Sequence, residues 1–471
     1  MPAKTALPSV AFQTLGCKLN QCETETMAAA FTRAGFSIAG DPRDAWLLVV
    51  NTCSVTSKAE QKGRRTIRAA LRQNPFCSVI VTGCYAEVDR AGLEALDAGS
   101  VRRLFVVPGT RKSRILDMPA ALAGEWPADA VALRAALSRF CGGATAASDA
   151  ADAFRFDAPA PSMRVRTFLK IQDGCDNSCA YCLVPAARGV ARSLPPETAL
   201  ERLRAAEDAG AAEAVLVGVN ISRWKGAANA GLAELLHALV SGTKEIRIRL
   251  SSLEPDVFTE DFFAVLQNPR ILPHFHVSVQ SGSAEILRRM GRFHEPAAIL
   301  AAIGRLREVK DDPFMACDMI AGFPGETEGH FSQTYDFCAS ADFAQVHVFP
   351  FSRRRGTAAW DYKPRIPERD AEKRVSILKN YSVLSRKRYI ERWIGRETGG
   401  VCMSLKAEAS AVSVEILADN YLRLQARLPR DSAFLPQRGR RLACRITAPA
   451  EESRVNCGAA TLFDACGEIP G

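Results

Sequence analysis

Residues 173–185 read DGCDNSCAYCLVP, three cysteines within eight positions, separated by three residues and then by two. The run follows VRTFLKIQ, a β-branched and aromatic stretch that predicts a strand, so Cys175, Cys179 and Cys182 fall in the loop after it. Further stretches of the same kind follow: EAVLVGVN, EIRIRLSS, HFHVSVQS, PFMACDMIAG and FAQVHVFPF, with amphipathic segments between them. Six strand–helix units over residues 164–390 predict a partial (β/α)6 barrel, not the closed eight-unit form. In such barrels the carboxyl ends of the strands carry the chemistry. A structural zinc site closes with four ligands, usually as two pairs, and no fourth Cys or His lies nearby in the sequence. Three thiolates on a four-iron cluster instead leave one iron open to a small molecule. Zinc, and three cysteines that are simply buried together, stay as alternatives.

Working outward, residues 1–121 alternate short β-rich runs (SVAFQTLG, WLLVVNTC, SVIVTGC, RRLFVVPG) with helical stretches, the pattern of an open parallel α/β domain. Residues 122–163 turn to Ala, Asp, Gly and Pro and read as a linker, with room for one helix. Residues 391–471 read as short alternating strands separated by turn residues, a small β-barrel. The whole is an α/β chain of 471 residues, 47% hydrophobic and 24% charged, enough for about three domains. It has no long apolar run, and its start lacks the charge-then-apolar pattern of a secretory signal, so a cytoplasmic location is expected. Fifteen cysteines in a reducing compartment argue for metal ligation or thiol chemistry over disulfides. The net charge of +9 is compatible with a polyanionic partner.

A second constellation lies in the first block. Cys17 follows FQTLG, Cys53 ends LLVVNTC and Cys84 follows VIVTG, each just past a parallel-strand candidate, the edge where ligands gather in an open α/β sheet. Such a trio suits a second cluster with one open iron; the alternative is three buried apolar fillers.

The words GCKLNQCETE, NTCSVTSKAEQKGRRTIR, TGCYAE, CDNSCAYCLVPAARG, RLSSLEP, SVQSGS and IAGFPGETE resemble the methylthiotransferase family of radical S-adenosylmethionine (SAM) enzymes, and the similarity covers nearly the whole chain. The resemblance implies two [4Fe-4S] clusters as cofactors, an auxiliary one on Cys17, Cys53 and Cys84 and a SAM-binding one on Cys175, Cys179 and Cys182, with SAM itself as cosubstrate. The GCK start and TGCYAE look most like the branch that methylthiolates C2 of N6-threonylcarbamoyladenosine at position 37 of tRNA. The same chemistry on isopentenyladenosine 37, or on an aspartate of a ribosomal protein, is the rival reading. The C2–H bond offers no acidic proton and no leaving group, which is why a radical route is needed. In the family one SAM methylates a sulfur on the auxiliary cluster and a second SAM supplies the radical.

By the same resemblance Tyr181 is the aromatic before the last cysteine, and Gly218, Asn220, Gln280 and Gly322, at strand ends, touch SAM; each is equally readable as a turn or packing residue. No catalytic acid or base is singled out. The implied partners are the tRNA anticodon stem-loop and an electron donor such as flavodoxin or ferredoxin. The last block resembles a TRAM domain, a small RNA-binding β-barrel. From Arg386 to Arg441 there are twelve Lys/Arg against six Asp/Glu, with Tyr389, Trp393 and Tyr421 interleaved, suited to phosphates and unpaired bases or to a solvated surface. A second basic strip, Lys58 to Arg72, lies on a helix after Cys53 and is placed to hold the anticodon arm, and Arg353–Arg355 form a shorter run, either RNA-facing or solvated. Cys22 stands where relatives often have Tyr and reads as an incidental thiol. Cys77, Cys141, Cys317, Cys338, Cys402, Cys444, Cys457 and Cys466 lack any common spacing and are expected to be unligated.

Overall fold

The computed structural model describes residues 9–97, 99, 101–123, 129–142, 153–156, 164–432, 435–449 and 464–469. The amino-terminal sheet holds β1 (Ser9–Thr14), β2 (Ser37–Ile38), β3 (Leu47–Thr52), β4 (Ser78–Gly83) and β5 (Leu104–Val106), all parallel, in the order β2-β1-β3-β4-β5. β3 and β4 are buried at every position, as central parallel strands covered on both faces must be. The two-residue edge strand β2 has no run of its own in the sequence pattern. Within the stretch read as a linker, Ala130–Gly142 is a helix whose Leu133 and Leu137 pack under this sheet. Phe156 enters the same core while Phe154 packs into the next domain, and residues 124–128, 143–152 and 157–163 of the linker lie outside the described residues.

The central domain has all six expected strands. β6 (Thr167–Lys170) leads into a small antiparallel pair, β7 (Gln172–Asp173) and β8 (Arg192–Ser193), that clamps the base of the cysteine loop. Then come β9 (Glu213–Val217), β10 (Arg247–Leu250), β11 (Ser252–Leu253), β12 (His274–Gln280), β13 (Phe314–Ala321) and β14 (Gln345–Pro350). Ladders run β10-β9-β6 and β11-β12-β13-β14, with β10 and β11 successive segments separated only at Ser251; β6 and β14 do not pair, so the barrel is open on one side. Phe275, Val277 and Val279 of β12 and Met315, Cys317 and Met319 of β13 pack outward on the helices. The alternate set, His274, His276, Ser278 and Gln280 with Asp318, therefore lines the lumen.

The first helix, Lys18–Arg33, lies across this open face: Leu19 and Cys22 pack on Phe168, Val215 and Val217. Cys22 is thus a buried filler between domains, its Sγ 3.5 Å from the Phe168 carbonyl. After the Glu368–Trp393 helix, β15 (Glu397–Ala407), β16 (Ala411–Ala418), β17 (Arg423–Pro429), β18 (Arg441–Pro449) and β19 (Ala465–Glu468) close a barrel in the order β15-β16-β17-β19-β18. The turn between β16 and β17 reaches back into the lumen. The Tyr421 ring lies tilted by 36° against that of His274, centres 4.0 Å apart, and Arg249 of β10 donates to the Asp419 carbonyl at 3.0 Å. Among the described residues no helix is long and apolar enough to cross a membrane.

Candidate active site

β1, β3 and β4 are neighbours in the amino-terminal sheet, so Cys17, Cys53 and Cys84 emerge side by side at its carboxyl edge. Cys17 caps the first helix, where the helix dipole favours a thiolate. Gly16 precedes it with φ of +101°, and a Cβ there would stand 2.5 Å from Cys53 Cβ and 2.8 Å from Cys53 Sγ. Gly83 and Gly174 likewise hold positive φ immediately before Cys84 and Cys175, so three of the six thiols enter on a Gly-Cys corner that L-residues resist. The Val55 backbone N–H donates to Cys53 Sγ at 3.5 Å.

The second trio is held by backbone. Cys175 N donates to the Gly189 carbonyl at 3.0 Å, and the N–H groups of Asn177 and Val184 donate to the sulfurs of Cys175 and Cys182 at 3.4 Å each. Arg292 Nη1 lies 3.8 Å from Cys179 Sγ, and this buried guanidinium also pairs with Glu254. Burial pushes the thiols of Cys53 and Cys182 up to about 12 and raises those of Cys17 and Cys175, so thiolates here call for a cation as partner. For Cys182, the neighbouring thiols of Cys179 and Cys175 add to that rise, and Arg188, six residues further on, donates to Cys84 Sγ at 3.3 Å, which brings the two trios together. Among the described residues no three His, Cys, Asp or Glu side chains converge at the spacing of a single chelated ion. A cubane spreads its thiolates over separate irons and asks for a wider set.

Asn220, after β9, is buried with neither Nδ2 nor Oδ1 hydrogen-bonded, while its backbone N–H donates to Gln172 Oε1 at 2.7 Å. Two orphaned polar atoms near the cysteine loop fit a polar ligand there. Tyr181 packs edge-on to Phe323 at 6.5 Å, and Gln280 holds φ of +76° at the irregularity where β12 loses register with β13. Packing explains the other two positions locally. A Cβ on Gly218 would meet Ile221 Cγ2 at 2.9 Å, and one on Gly322 would meet Ala371 Cβ at 2.5 Å. Arg292 and Glu254 were not singled out by the sequence; the EP after RLSSL was the only local signal.

Deeper in the lumen His276 Nε2 stands 3.0 Å from Asp318 Oδ1, its ring 5.1 Å from that of His347. Lys18 places its ammonium 5.6 Å from the centre of the Tyr421 ring and, among the described residues, has no carboxylate within ion-pair distance. A cavity of about 30 Å³ between the first two domains, lined by Glu23, Cys84, Lys112, Lys170, Asp173 and Arg188, has room for a water or two and not for SAM.

The basic runs divide. Lys58, Lys62, Arg65, Arg68 and Arg72 are exposed along the Ser57–Gln73 helix, but Arg354 is buried, tied to the Ser54 carbonyl and to Glu60, and Arg353 stacks on Trp360 at 3.6 Å. Arg354 therefore joins the amino-terminal and central domains and is unavailable to RNA. Cys77, Cys317, Cys338, Cys402 and Cys444 are buried in the hydrophobic cores, and Cys457 lies outside the described residues.

The profile of Uncharacterized protein family UPF0004 matches residues 9–102, and that of the Radical SAM superfamily matches residues 169–338. The chain is 37% identical to threonylcarbamoyladenosine tRNA methylthiotransferase MtaB of Treponema pallidum, covering 88% of this chain and 94% of that one. It is 34% identical to the protein of the same name from Bacillus subtilis, over 79% of this chain and 80% of the other. Identity to a tRNA-2-methylthio-N(6)-dimethylallyladenosine synthase of Thermotoga petrophila is 31%, over 82% and 84%. Among solved structures, the radical SAM methyltransferase TsrM of Kitasatospora setae aligns over 75% of this chain and 77% of its own with a TM-score of 0.51 at 13% identity, a likeness of fold alone. With two cysteine trios at strand ends and relatives of this identity along most of its length, the chain belongs to the radical SAM methylthiotransferase family.

Proposed function

We propose that the chain transfers a methylthio group to C2 of N6-threonylcarbamoyladenosine at position 37 of tRNA, using two [4Fe-4S] clusters and two molecules of SAM. The observation that carries the reading is two cysteine trios at strand ends, Cys17, Cys53, Cys84 and Cys175, Cys179, Cys182, brought together where Arg188, on the short helix that follows Cys182, donates to Cys84 Sγ at 3.3 Å. When bound, the clusters and SAM supply the electron, the radical and the sulfur that an unactivated C2–H bond requires. The chain's own part is to hold them. Arg292 and the backbone N–H groups of Asn177 and Val184 temper the charge on the barrel trio, and the unsatisfied Asn220 amide, with Tyr181, Gly218, Gln280 and Gly322, forms the candidate SAM contact set.

The choice of substrate rests on charge. An N6 substituent ending in a carboxylate would pair with the ammonium of Lys18, which stands 5.6 Å from the centre of the Tyr421 ring. Burial already pushes the Lys18 ammonium down, and a substrate carboxylate would restore its charged form, whereas an isopentenyl group offers no such compensation. The relatives at 37% and 34% identity carry the name of this branch, and the one at 31% carries that of the rival branch. The exposed row Lys58, Lys62, Arg65, Arg68 and Arg72 starts just past Cys53 and suits the phosphates of the anticodon arm.

Two measurements test the proposal. Anaerobically reconstituted protein should hold about eight irons per chain, falling to about four in Cys53→Ala. Nucleoside mass spectrometry of tRNA from a strain lacking the protein should show loss of the methylthio form of threonylcarbamoyladenosine with accumulation of its parent. Loss of methylthio-isopentenyladenosine instead refutes the branch.

A further inference from the structure

Arg188 ends the short Val184–Arg188 helix, which leaves the loop of the barrel trio, yet its guanidinium works in the amino-terminal domain. It is buried, and each of its N–H groups has an acceptor. Nε donates to Cys84 Sγ at 3.3 Å; Nη1 to Glu23 Oε1 and Asp173 Oδ1, both at 3.0 Å; Nη2 to Asn20 Oδ1 at 2.7 Å and Glu23 Oε2 at 3.2 Å. Asn20 in turn donates from Nδ2 to the carbonyls of Leu15 at 2.9 Å and Thr52 at 3.0 Å. Those carbonyls close the strand ends from which Cys17 and Cys53 emerge. One side chain from the barrel thus touches Cys84 directly and, through Asn20, braces the backbone that carries the other two thiols.

Charge points the same way. Glu23 also pairs with Lys112 at 2.5 Å and Lys170 at 3.0 Å, and Lys170 with Asp173 at 2.7 Å. All five ionic groups are buried, three cations against two carboxylates, which leaves one positive charge uncompensated by the network. A buried charge without a counter-charge is costly, and the group that adjoins this one is the Cys84 sulfur. A four-iron cluster in its oxidised resting state, held by three thiolates, carries one net negative charge, which matches. Reduction adds a second, so a guanidinium donor on a ligand sulfur stabilises the reduced form and raises the potential.

We propose that Arg188 is a positioning residue for the auxiliary cluster: it fixes the Cys17, Cys53, Cys84 trio against the loop of Cys182 and sets that cluster's reduction potential. The proposal rests on the two-cluster reading above. The test uses full-length, anaerobically reconstituted protein and its Arg188→Lys and Arg188→Gln variants, with iron analysis and an EPR-monitored redox titration that resolves both clusters. Arg188→Lys keeps the buried charge and loses the fork of donors; its auxiliary cluster should titrate at a more negative potential, or be lost, while the SAM cluster keeps its wild-type potential. Arg188→Gln should show the larger effect of the same kind. Wild-type potentials for both clusters in either variant overturn the proposal, and so does loss of both clusters in Arg188→Lys, which would mark a general folding role. Wild-type protein with only about four irons refutes the two-cluster reading itself, a separate outcome.

Discussion

Replacing Arg249 by Met tests whether the carboxyl-terminal barrel is seated in the lumen of the central one. Arg249 is fully buried; Nε and Nη2 hold Glu213 at 2.7 and 3.0 Å, and Nη1 donates to the Asp419 carbonyl at 3.0 Å. Burial pushes the Glu213 carboxyl up, but the guanidiniums of Arg249 and Arg166 more than reverse this and hold it at about 2 in place of the ordinary 4.5. A fall of that size is worth about 3 kcal/mol. Arg249 is the larger contributor, so its removal forfeits about 2 kcal/mol of attraction and about 1 kcal/mol for the abandoned carbonyl, the low end of what breaking a buried pair costs. Because the carboxyl is held below its unfolded value, its stabilisation is complete above about pH 4.5 and fades only as pH falls toward 2, so an assay at pH 7 sees all of it. A chain of three domains does not unfold in one step, and a local readout is required. Limited anaerobic proteolysis near Ile394–Arg396 reports release of the barrel. About 3 kcal/mol corresponds to roughly 100-fold faster cleavage when opening is at equilibrium. Glu213→Leu with Arg249→Met leaves no unpaired acid and should recover most of the resistance. Wild-type cleavage of Arg249→Met, or a double variant as labile as the single one, refutes the seating.

Gly16→Ala should cost the auxiliary cluster alone, since the new Cβ at φ of +101° meets Cys53 at 2.5 Å; iron per chain would fall by about half, read by colorimetric analysis. Lys18→Met should lower kcat/KM for tRNA bearing threonylcarbamoyladenosine by about 10- to 100-fold, the loss of one charged hydrogen bond, with iron content unchanged as the control. His347 is held down to about 4 by burial first and then by His276, so it folds neutral; stability is full above about pH 6.5 and declines as pH drops toward 4. His347→Gln should flatten that acid limb, by up to about 3 kcal/mol, in anaerobic thermal melts taken between pH 7 and 4.

The cysteine trios and the succession of open sheet, partial barrel and small barrel are legible in the sequence because each is local: a strand, then a thiol, then a turn. The period-2 alternation in HFHVSVQS also points polar residues to one face, though the sequence does not say that the face is a lumen. What stays hidden is long-range. Arg188 lies 104 residues from Cys84 and Arg249 lies 170 from Asp419, and no spacing rule joins them. Arg354, inside an RRR run, reads as surface charge until the fold buries it beside Ser54 and Glu60. Lys18, the cation proposed to meet the substrate, is masked in another way: it follows Cys17, and only the arrival of Tyr421 from the far end of the chain shows which way its ammonium points.

That arrival changes what the terminal barrel is. Residues Asp419–Tyr421 close on the lumen of the central barrel, against His274 and Arg249. Truncation before residue 396 would therefore do more than remove a terminal domain. It would unseal the lumen, so that SAM is consumed in fruitless cycles quenched by solvent, and grafting a foreign terminal barrel would fail unless the graft carried this plug.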